Sequence, residues 1–302
     1  MKATTRMKTR GLGLIDERKS NTGMKKYLLA IVVVMLSLSG CSDNSLSDES
    51  VERELEISSS EEINALFEQA RWGDGQAYLQ LANCYRDGKG VKKDFVGMLT
   101  MAFQAEEYGG ISKTKDYLKM LPEDSEFKLI YDAVERISHR EMDEATSLLE
   151  QLNALNSVES YVIQGMMVIE RGEIQKGICL MEQAVDAGSS FAELMLFITY
   201  WQGFTHPDVE KMATLSDKIP FVNNILAKIY MGLEYEDMRD DKLAAHYFLK
   251  ADEKACISKE GARWLLYYHR NCENLQLQER EIQRLQFLAG ETSTGNQYST
   301  SN

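Results

Sequence analysis

Proline is scarce in this chain of 302 residues, where it occurs only three times, at Pro122, Pro207 and Pro220. Because proline interrupts helices, its scarcity leaves long stretches free to be helical. Alternation of apolar and polar residues, the pattern of half-buried strands, does not extend over any length. Alanine, leucine, methionine, glutamate and lysine are abundant. The sequence therefore predicts an all-α fold.

Metal-binding and redox motifs are also missing. The cysteines after Cys41 form no C-x-x-C pair and no zinc spacing; they are Cys84, Cys179, Cys256 and Cys272. The four histidines form no H-E-x-x-H motif or other dense ligand set; they are His139, His206, His246 and His269. We therefore expect no cofactor and no metal. Whether Cys256 and Cys272 form a disulfide stays open at this point.

Two short motifs that suggest catalysis do not have the context that it requires. Ser112-Lys113-Thr114-Lys115 matches the S-x-x-K motif of serine β-lactamases but is not accompanied by the other motifs of those enzymes. Gly88-Lys89-Gly90 has no following Gly-Lys-Ser/Thr and no preceding strand, so it is not a phosphate-binding loop. We expect that the protein is not an enzyme.

The charge of the chain excludes one class of partner. The net charge is −13, while residues 1–40 carry eight Lys or Arg and two acids, which leaves −13 − 6 = −19 for residues 41–302. Binding to nucleic acid or to anionic lipid head groups depends on Lys and Arg. We therefore expect no nucleic-acid partner. The acidic surface serves solubility or favours cationic partners.

Residues 24–41 resemble the leader of a bacterial lipoprotein. Met24-Lys25-Lys26 is followed by an apolar run, Tyr27 to Leu38. As a helix this run of about 12 residues would span roughly 18 Å, which is short for a membrane about 30 Å thick. The stretch Leu38-Ser39-Gly40-Cys41 resembles a lipobox. That resemblance implies cleavage before Cys41 and acylation of its thiol; a transmembrane anchor or an uncleaved signal is the alternative.

The leader also gives an expected location and domain organisation. Residues 1–40 are a signal peptide, of which 1–23 are either a gene-model extension or a long basic region. Ser42, in place of aspartate, favours the outer membrane, on its periplasmic face or at the cell surface. We expect a flexible acidic tether at 41–59, a helical-repeat domain at 60–289 and a disordered tail at 290–302.

Internal repetition is the second strong signal. Ala77, Leu81, Tyr85 and Gly88 form a pattern that recurs with identical spacing as Ala192, Leu196, Tyr200 and Gly203. A second helix pattern follows each copy and begins near an acidic residue, such as Asp94 or Asp240. The repetition predicts five helix hairpins, at about 77–108, 126–155, 159–187, 191–219 and 222–254. Helix 60–72 would cap the front, and helices 260–271 and 275–288 the back.

The segment from Glu68 to Gly110 resembles a Sel-one-like repeat, a relative of the tetratricopeptide repeat. The residues that define the resemblance are Ala77, Leu81, Tyr85, Gly88, Gly90, Asp94 and Ala105. The Gly-x-Gly-Val-x-x-Asp loop occurs once, and the later copies resemble shorter tetratricopeptide-like hairpins. The resemblance implies a right-handed α-solenoid that acts as a protein-binding scaffold.

The sequence thus suggests a lipid-anchored scaffold that binds a protein or peptide partner in a concave groove, without catalysis. Trp264, Tyr267 and Tyr268 lie close together near the end of the repeats and are candidate binding aromatics. The alternative hypothesis is an accessory lipoprotein at the cell surface that recognises a glycan or an oligopeptide nutrient. Neither hypothesis identifies the ligand.

Overall fold

A computed structural model describes residues 60–202, 207–232, 235–272 and 275–291. The signal peptide, Cys41, the expected tether and residues 292–302 lie outside the described residues. Within those ranges the chain forms fourteen α-helices and no strand, which confirms the all-α class. The helices are α1 Ser60–Arg71, α2 Gly75–Asp87, α3 Phe95–Glu107, α4 Thr114–Lys119, α5 Glu126–His139, α6 Met142–Ala154, α7 Glu159–Glu170, α8 Ile174–Asp186, α9 Ser190–Gln202, α10 Val209–Ser216, α11 Asn223–Tyr230, α12 Asp241–Glu253, α13 Lys259–Asn271 and α14 Glu279–Ala289.

Consecutive helices pair as stacked hairpins, as the repetition predicts. The pairs α2–α3, α5–α6, α7–α8, α9–α10 and α11–α12 match the five expected hairpins, and α13 and α14 pair in the same way at the end of the stack. Helix α1 packs on α2 at the front. The short helix α4 is an addition that the sequence pattern does not predict.

Side chains at the helix starts explain why the second helix of several hairpins begins where it does. Asp94, Asp208 and Asp240 stand directly before α3, α10 and α12, and each carboxylate accepts a backbone N–H of the first turn. Such caps satisfy donors that have no partner within the helix. Glu141 and Glu173 hold the same position before α6 and α8 but make no such bond. The acidic residue of the repeat pattern therefore caps the helix only where it is aspartate.

The stack curves until its two ends touch. Non-helical residues 254–258 lie against the first hairpin, which donates hydrogen bonds to three successive carbonyls of that segment. Tyr78 Oη donates to the Ala255 oxygen at 2.8 Å, Gln104 Nε2 to the Cys256 oxygen at 3.3 Å, and Tyr108 Oη to the Ile257 oxygen at 3.3 Å. The first hairpin thus holds the segment that follows the fifth.

An ion pair and a backbone contact strengthen this closure. The Arg284 guanidinium on α14 makes two hydrogen bonds to the Asp252 carboxylate, at 2.7 and 2.5 Å, and also donates to the Arg71 carbonyl at 3.3 Å. The Lys259 backbone N–H donates to Glu107 Oε1 at 2.8 Å. Burial of the Glu107 carboxyl raises its pKa, while the contact with Lys259 opposes that rise.

The interior of the curve is filled by side chains of the inner helices. Phe95, at the start of α3, packs edge-on against Phe127 of α5 and Phe191 of α9, with ring centroids 5.4 Å apart in both pairs. Helix α3 also contacts α9 directly. The concave side is therefore not an open trough. The space that remains on this side consists of two adjoining cavities.

Candidate functional site

Two adjoining cavities line the inner side of the stack. The seam cavity, about 530 Å³, lies between α1, α3 and residues 253–256 where the ends of the stack meet. The loop cavity, about 690 Å³, lies where the inner helices begin. Asp94 and Ser190 line both cavities, so the two spaces are neighbours. We call them together the inner groove, and it is the candidate binding site.

The lining of the seam cavity combines apolar and polar side chains. Phe67 of α1, Met101 of α3 and Ile219 contribute apolar surface. Thr100 also lines the cavity and is only 6% exposed. Among the described residues, Arg71 Nε, also in the lining, is buried and has no hydrogen-bond partner. A buried N–H donor without a partner costs free energy, so a ligand group that accepts a hydrogen bond from it gains affinity.

Charged side chains of both signs surround the seam cavity. Arg71 lies 3.8 Å from a carboxylate oxygen of Asp252 and 4.0 Å from one of Glu68. Lys218 Nζ lies 2.6 Å from Glu193 Oε1. Glu253 and Lys254, on the segment that closes the stack, are exposed. The mixture of charges gives this cavity no strong preference for the sign of a ligand.

The loop cavity collects the first residues of four inner helices. Helices α3, α5, α7 and α9 begin at Phe95, Glu126, Glu159 and Ser190, and each of these residues lines the cavity. The acidic side chains of the lining are Asp94, Asp124, Glu126 and Glu159, and the basic ones are Lys92 and Lys93. The Lys93 ammonium already makes a cation–π contact with the Phe127 ring, with Nζ 4.8 Å from the ring centroid. The charged lining of this cavity is acidic on balance.

Two equivalent hydrogen bonds beside the loop cavity join the second hairpin to the third and the third hairpin to the fourth. Ser157 Oγ donates to Glu126 Oε1 at 2.6 Å, and Ser189 Oγ donates to Glu159 Oε2 at 2.5 Å. In each case a serine before one inner helix bonds an acid in the first turn of the preceding inner helix. A related contact joins the Ser258 N–H to Asn224 Oδ1 at 3.0 Å. These bonds fix the register of neighbouring hairpins.

Glu159 is the most perturbed carboxyl of the groove. Burial raises its pKa to about 7, and the nearby Glu126 and Asp94 carboxylates add to the rise. The Ser189 hydroxyl and the Lys92 ammonium oppose it. At neutral pH the folded protein therefore carries a partly ionised acid in a site that disfavours the charge. A cation placed in the loop cavity would relieve that cost.

Most of the repeat-defining residues pack the first hairpin or form its turns, and few of them reach the groove. Ala77, Leu81 and Ala105 are buried between the helices of the first hairpin. Gly88 follows α2 with φ +72°, a left-handed conformation that glycine adopts without strain. These residues shape the first hairpin, and only two members of the repeat-defining set line the groove. Those two are Tyr85 and Asp94, both on the seam cavity.

The candidate aromatics near the end of the stack have different surroundings. Trp264 and Tyr268 stack on each other with ring centroids 5.0 Å apart, and Trp264 also lies 5.6 Å from the Phe248 ring. Tyr268 is buried, whereas Tyr267 is 62% exposed. None of the three lines either cavity. The packing accounts for Trp264 and Tyr268, and Tyr267 alone presents its ring to solvent.

Sequence reasoning missed the serines that stand before the inner helices. Ser125, Ser157 and Ser189 recur every 32 residues, and a fourth serine, Ser258, stands before α13. All four hydroxyls accept a backbone N–H at the start of an inner helix. This period was a readable signal for the line of helix starts.

The remaining motifs have structural positions. The four cysteines of the described residues are not bridged, and Cys256 is buried with its Sγ 3.1 Å from the Lys254 oxygen. In the S-x-x-K stretch, the Thr114 hydroxyl donates to the Ala102 carbonyl at 3.1 Å and the Lys115 ammonium pairs with Glu135 at 3.1 Å. Across the described ranges there is no group of three His, Cys, Asp or Glu residues placed to hold a metal ion. Nor do those ranges contain a helix of the length and hydrophobicity needed to cross a membrane.

Comparison with known proteins finds similarity at the level of structure only. No protein-family model matches the sequence, and no curated protein does. A crystal structure of a Sel1 repeat protein from Oxalobacter formigenes is 15% identical, with a TM-score of 0.34 over 77% of this chain and 99% of that one. The crystal structure of c5321, a protective antigen of uropathogenic Escherichia coli strains with an SLR fold, is also 15% identical, with a TM-score of 0.34 over 91% of this chain and 55% of that one. Because these TM-scores are below 0.5, the assignment of the fold rests on the helix contacts described above.

Proposed function

We propose that this chain is a lipid-anchored helical-repeat protein that holds a protein or peptide partner in its inner groove and catalyses no reaction itself. The proposal rests on the lining of the inner groove. The groove joins a cavity of mixed apolar and polar lining, which includes the buried and unpaired Nε of Arg71, to a polar cavity with an acidic lining. Such a surface offers an anchor pocket and a polar rim, the two parts of a protein-recognition site.

The structure also contains an example of the recognition that we propose. The first hairpin holds residues 254–258 through side-chain donors that bind main-chain carbonyls. Bonds to the main chain hold a peptide whatever its side chains, while pockets beside the bonds select particular residues. A partner peptide in the seam cavity would lie against this same segment, since residues 253–256 form one wall of the cavity.

Site-specific photocrosslinking in cells tests the groove. A photoreactive amino acid replaces either Glu253, exposed beside the seam cavity, or Glu182, exposed on α8 and in neither cavity. We expect protein adducts from position 253 and none of the same mass from position 182, measured by immunoblot and mass spectrometry. Equal adducts from both positions would place the partner elsewhere, and adducts from neither would contradict a protein partner.

The anchor requires a separate test, because Cys41 lies outside the described residues. We propose that acylated Cys41 ties the protein to the outer membrane, on the periplasmic face or at the cell surface. The Cys41→Ala variant should lose the thiol that carries the lipid and move from the membrane fraction to the soluble fraction. Fractionation with a tagged chain measures this shift, and protease treatment of intact cells separates the two faces. A variant that stays in the membrane fraction would rule out the lipid anchor.

A further inference from the structure

Helix α1 presents one side to the seam cavity. Four of its residues line the cavity, and their spacing of three and four places them on one side of the helix: Asn64, Phe67, Glu68 and Arg71. The fully buried apolar positions of α1 lie on the neighbouring side, and the helix packs on α2. The side chain of Arg71 therefore leaves α1 on the side of the cavity.

The Arg71 guanidinium is charged and held in place, yet its donors lack acceptors. Nε is buried and has no hydrogen-bond partner among the described residues. The two carboxylates nearest the guanidinium are beyond hydrogen-bond distance, Asp252 at 3.8 Å and Glu68 at 4.0 Å. Asp252 already accepts two hydrogen bonds from Arg284. The Glu68 side chain is 65% exposed, so it can turn into solvent and leave Arg71 to a ligand.

The other charged groups of the lining have partners or lie in solvent. The Lys218 ammonium pairs with Glu193 at 2.6 Å, and the Asp94 carboxylate caps α3. Residues 253–254, one acid and one base, are exposed. Among the described charged side chains of the lining, only Arg71 has a buried donor without a partner. This group, and not the balance of formal charges, decides which ligand the cavity prefers.

A carboxylate next to an apolar side chain matches the cavity. The two oxygens of a carboxylate can accept parallel hydrogen bonds from Nε and one Nη of a guanidinium, and such charged bonds are stronger than bonds to a neutral carbonyl. Phe67, Met101 and Ile219 supply apolar surface in the same lining. The volume of about 530 Å³ lies within the range of about 300–1,000 Å³ that is typical of ligand pockets.

We propose that Arg71 in the seam cavity binds a carboxylate of the partner peptide, with an adjacent apolar side chain buried against Phe67, Met101 and Ile219. This inference rests on the proposed function and names the chemistry of the partner. A free C-terminus and an acidic side chain share that chemistry, so the test has one arm for each.

Synthetic peptides of known sequence test the inference on the full mature chain. The probes are short fluorescent Gly-Ser peptides with one Leu or one Phe. In one series this residue ends the peptide with a free carboxyl group, and the controls are the C-terminal amides. In the other series a Glu precedes the apolar residue inside an amidated peptide, and the controls replace Glu with Gln.

We expect at least one carboxylate peptide to bind tenfold or more tightly than its uncharged control, as measured by fluorescence anisotropy. Salt at about 150 mM limits the repulsion from the net charge of −19 of residues 41–302, since it screens charges beyond roughly 8 Å. The series that shows the preference identifies the source of the carboxylate.

Matched protein variants then locate the binding. Arg71→Lys keeps the charge and removes the planar fork of donors, so the best peptide should bind about tenfold more weakly. Arg270→Lys makes the same change outside the groove, where Arg270 pairs with Glu291 at 3.2 Å, and should leave binding unchanged. Glu68→Gln removes a carboxylate that competes for Arg71 and should strengthen binding about threefold. Thermal denaturation checks that the variants are folded.

The outcomes separate this inference from the function on which it rests. If no peptide of either series binds more tightly than its uncharged control, the inference is wrong, and adducts from position 253 would still support a partner in the groove. Binding that Arg71→Lys leaves unchanged, or that Glu68→Gln weakens, would also overturn the inference, because the carboxylate would then lie elsewhere. Absence of both peptide binding and groove adducts would contradict the inference and the proposed function together.

Discussion

Replacing Arg284 with methionine should lower the free energy of unfolding by about 3–5 kcal/mol. The guanidinium and the Asp252 carboxylate face each other at 2.5 and 2.7 Å, and their side chains are 3% and 8% exposed. Without Arg284 the carboxylate stays buried, and its remaining cation is Arg71, 3.8 Å away. A buried charge that loses its partner keeps its desolvation cost. Urea denaturation followed by circular dichroism measures the change.

Two further variants separate the buried pair from a general effect of lost charge. Arg270→Met breaks the pair between Arg270 and Glu291, whose side chains are 54% and 38% exposed, and should cost less than about 1 kcal/mol. The double variant Arg284→Met, Asp252→Leu removes both buried charges and should regain most of the loss. If Arg284→Met cost no more than Arg270→Met, the buried ion pair would not stabilise the fold.

Replacing Glu159 with glutamine should stabilise the protein at pH 8 and have little effect near pH 4.5. Burial raises the pKa of Glu159 from 4.5 to about 7 in the folded protein. A raised carboxyl pKa means that ionisation costs more in the folded state, so the wild-type protein loses stability as pH rises from about 4.5 to about 7 and stays lower above that range. Each unit of pKa shift corresponds to about 1.4 kcal/mol, so we expect a gain of roughly 2–3 kcal/mol at pH 8.

Thermal unfolding of Glu159→Gln and of the parent chain at both pH values measures this effect. Other carboxyl groups titrate in the same range, but they are common to the two proteins and cancel in the difference. A gain of roughly 2–3 kcal/mol corresponds to an increase of about 5–10 °C in Tm for a domain of this size. The same gain at pH 4.5 as at pH 8 would show that glutamine acts by packing and not by removing a costly charge.

The sequence predicts the helices well because their signals are local. Apolar spacing, an aspartate before a helix and a glycine after it can each be recognised within a short stretch of sequence. Five hairpins and the front helix follow from such signals. Helix α4 escaped prediction because its six residues, Thr114–Lys119, are too few to establish a helical period.

The site depends instead on contacts between residues far apart in sequence. Tyr78 and Ala255 meet across 177 positions, and Arg284 and Arg71 across 213. No periodicity encodes how far a stack of hairpins curves, so the sequence suggested an open concave groove and did not reveal the closure. Composition alone marks the aromatic cluster at residues 264–268 as a candidate site, whereas two of its three rings, Trp264 and Tyr268, pack inside the stack.

The contact between the first hairpin and residues 254–258 has a consequence for how such a chain can evolve. In an open array of repeats, duplicating or deleting one unit only lengthens or shortens the array, because each unit touches its immediate neighbours. Here an added or lost unit would carry Tyr78 and Gln104 away from the carbonyls that they bind. The number of units is therefore a fixed property of the protein, and variation between descendants belongs in loops and side chains.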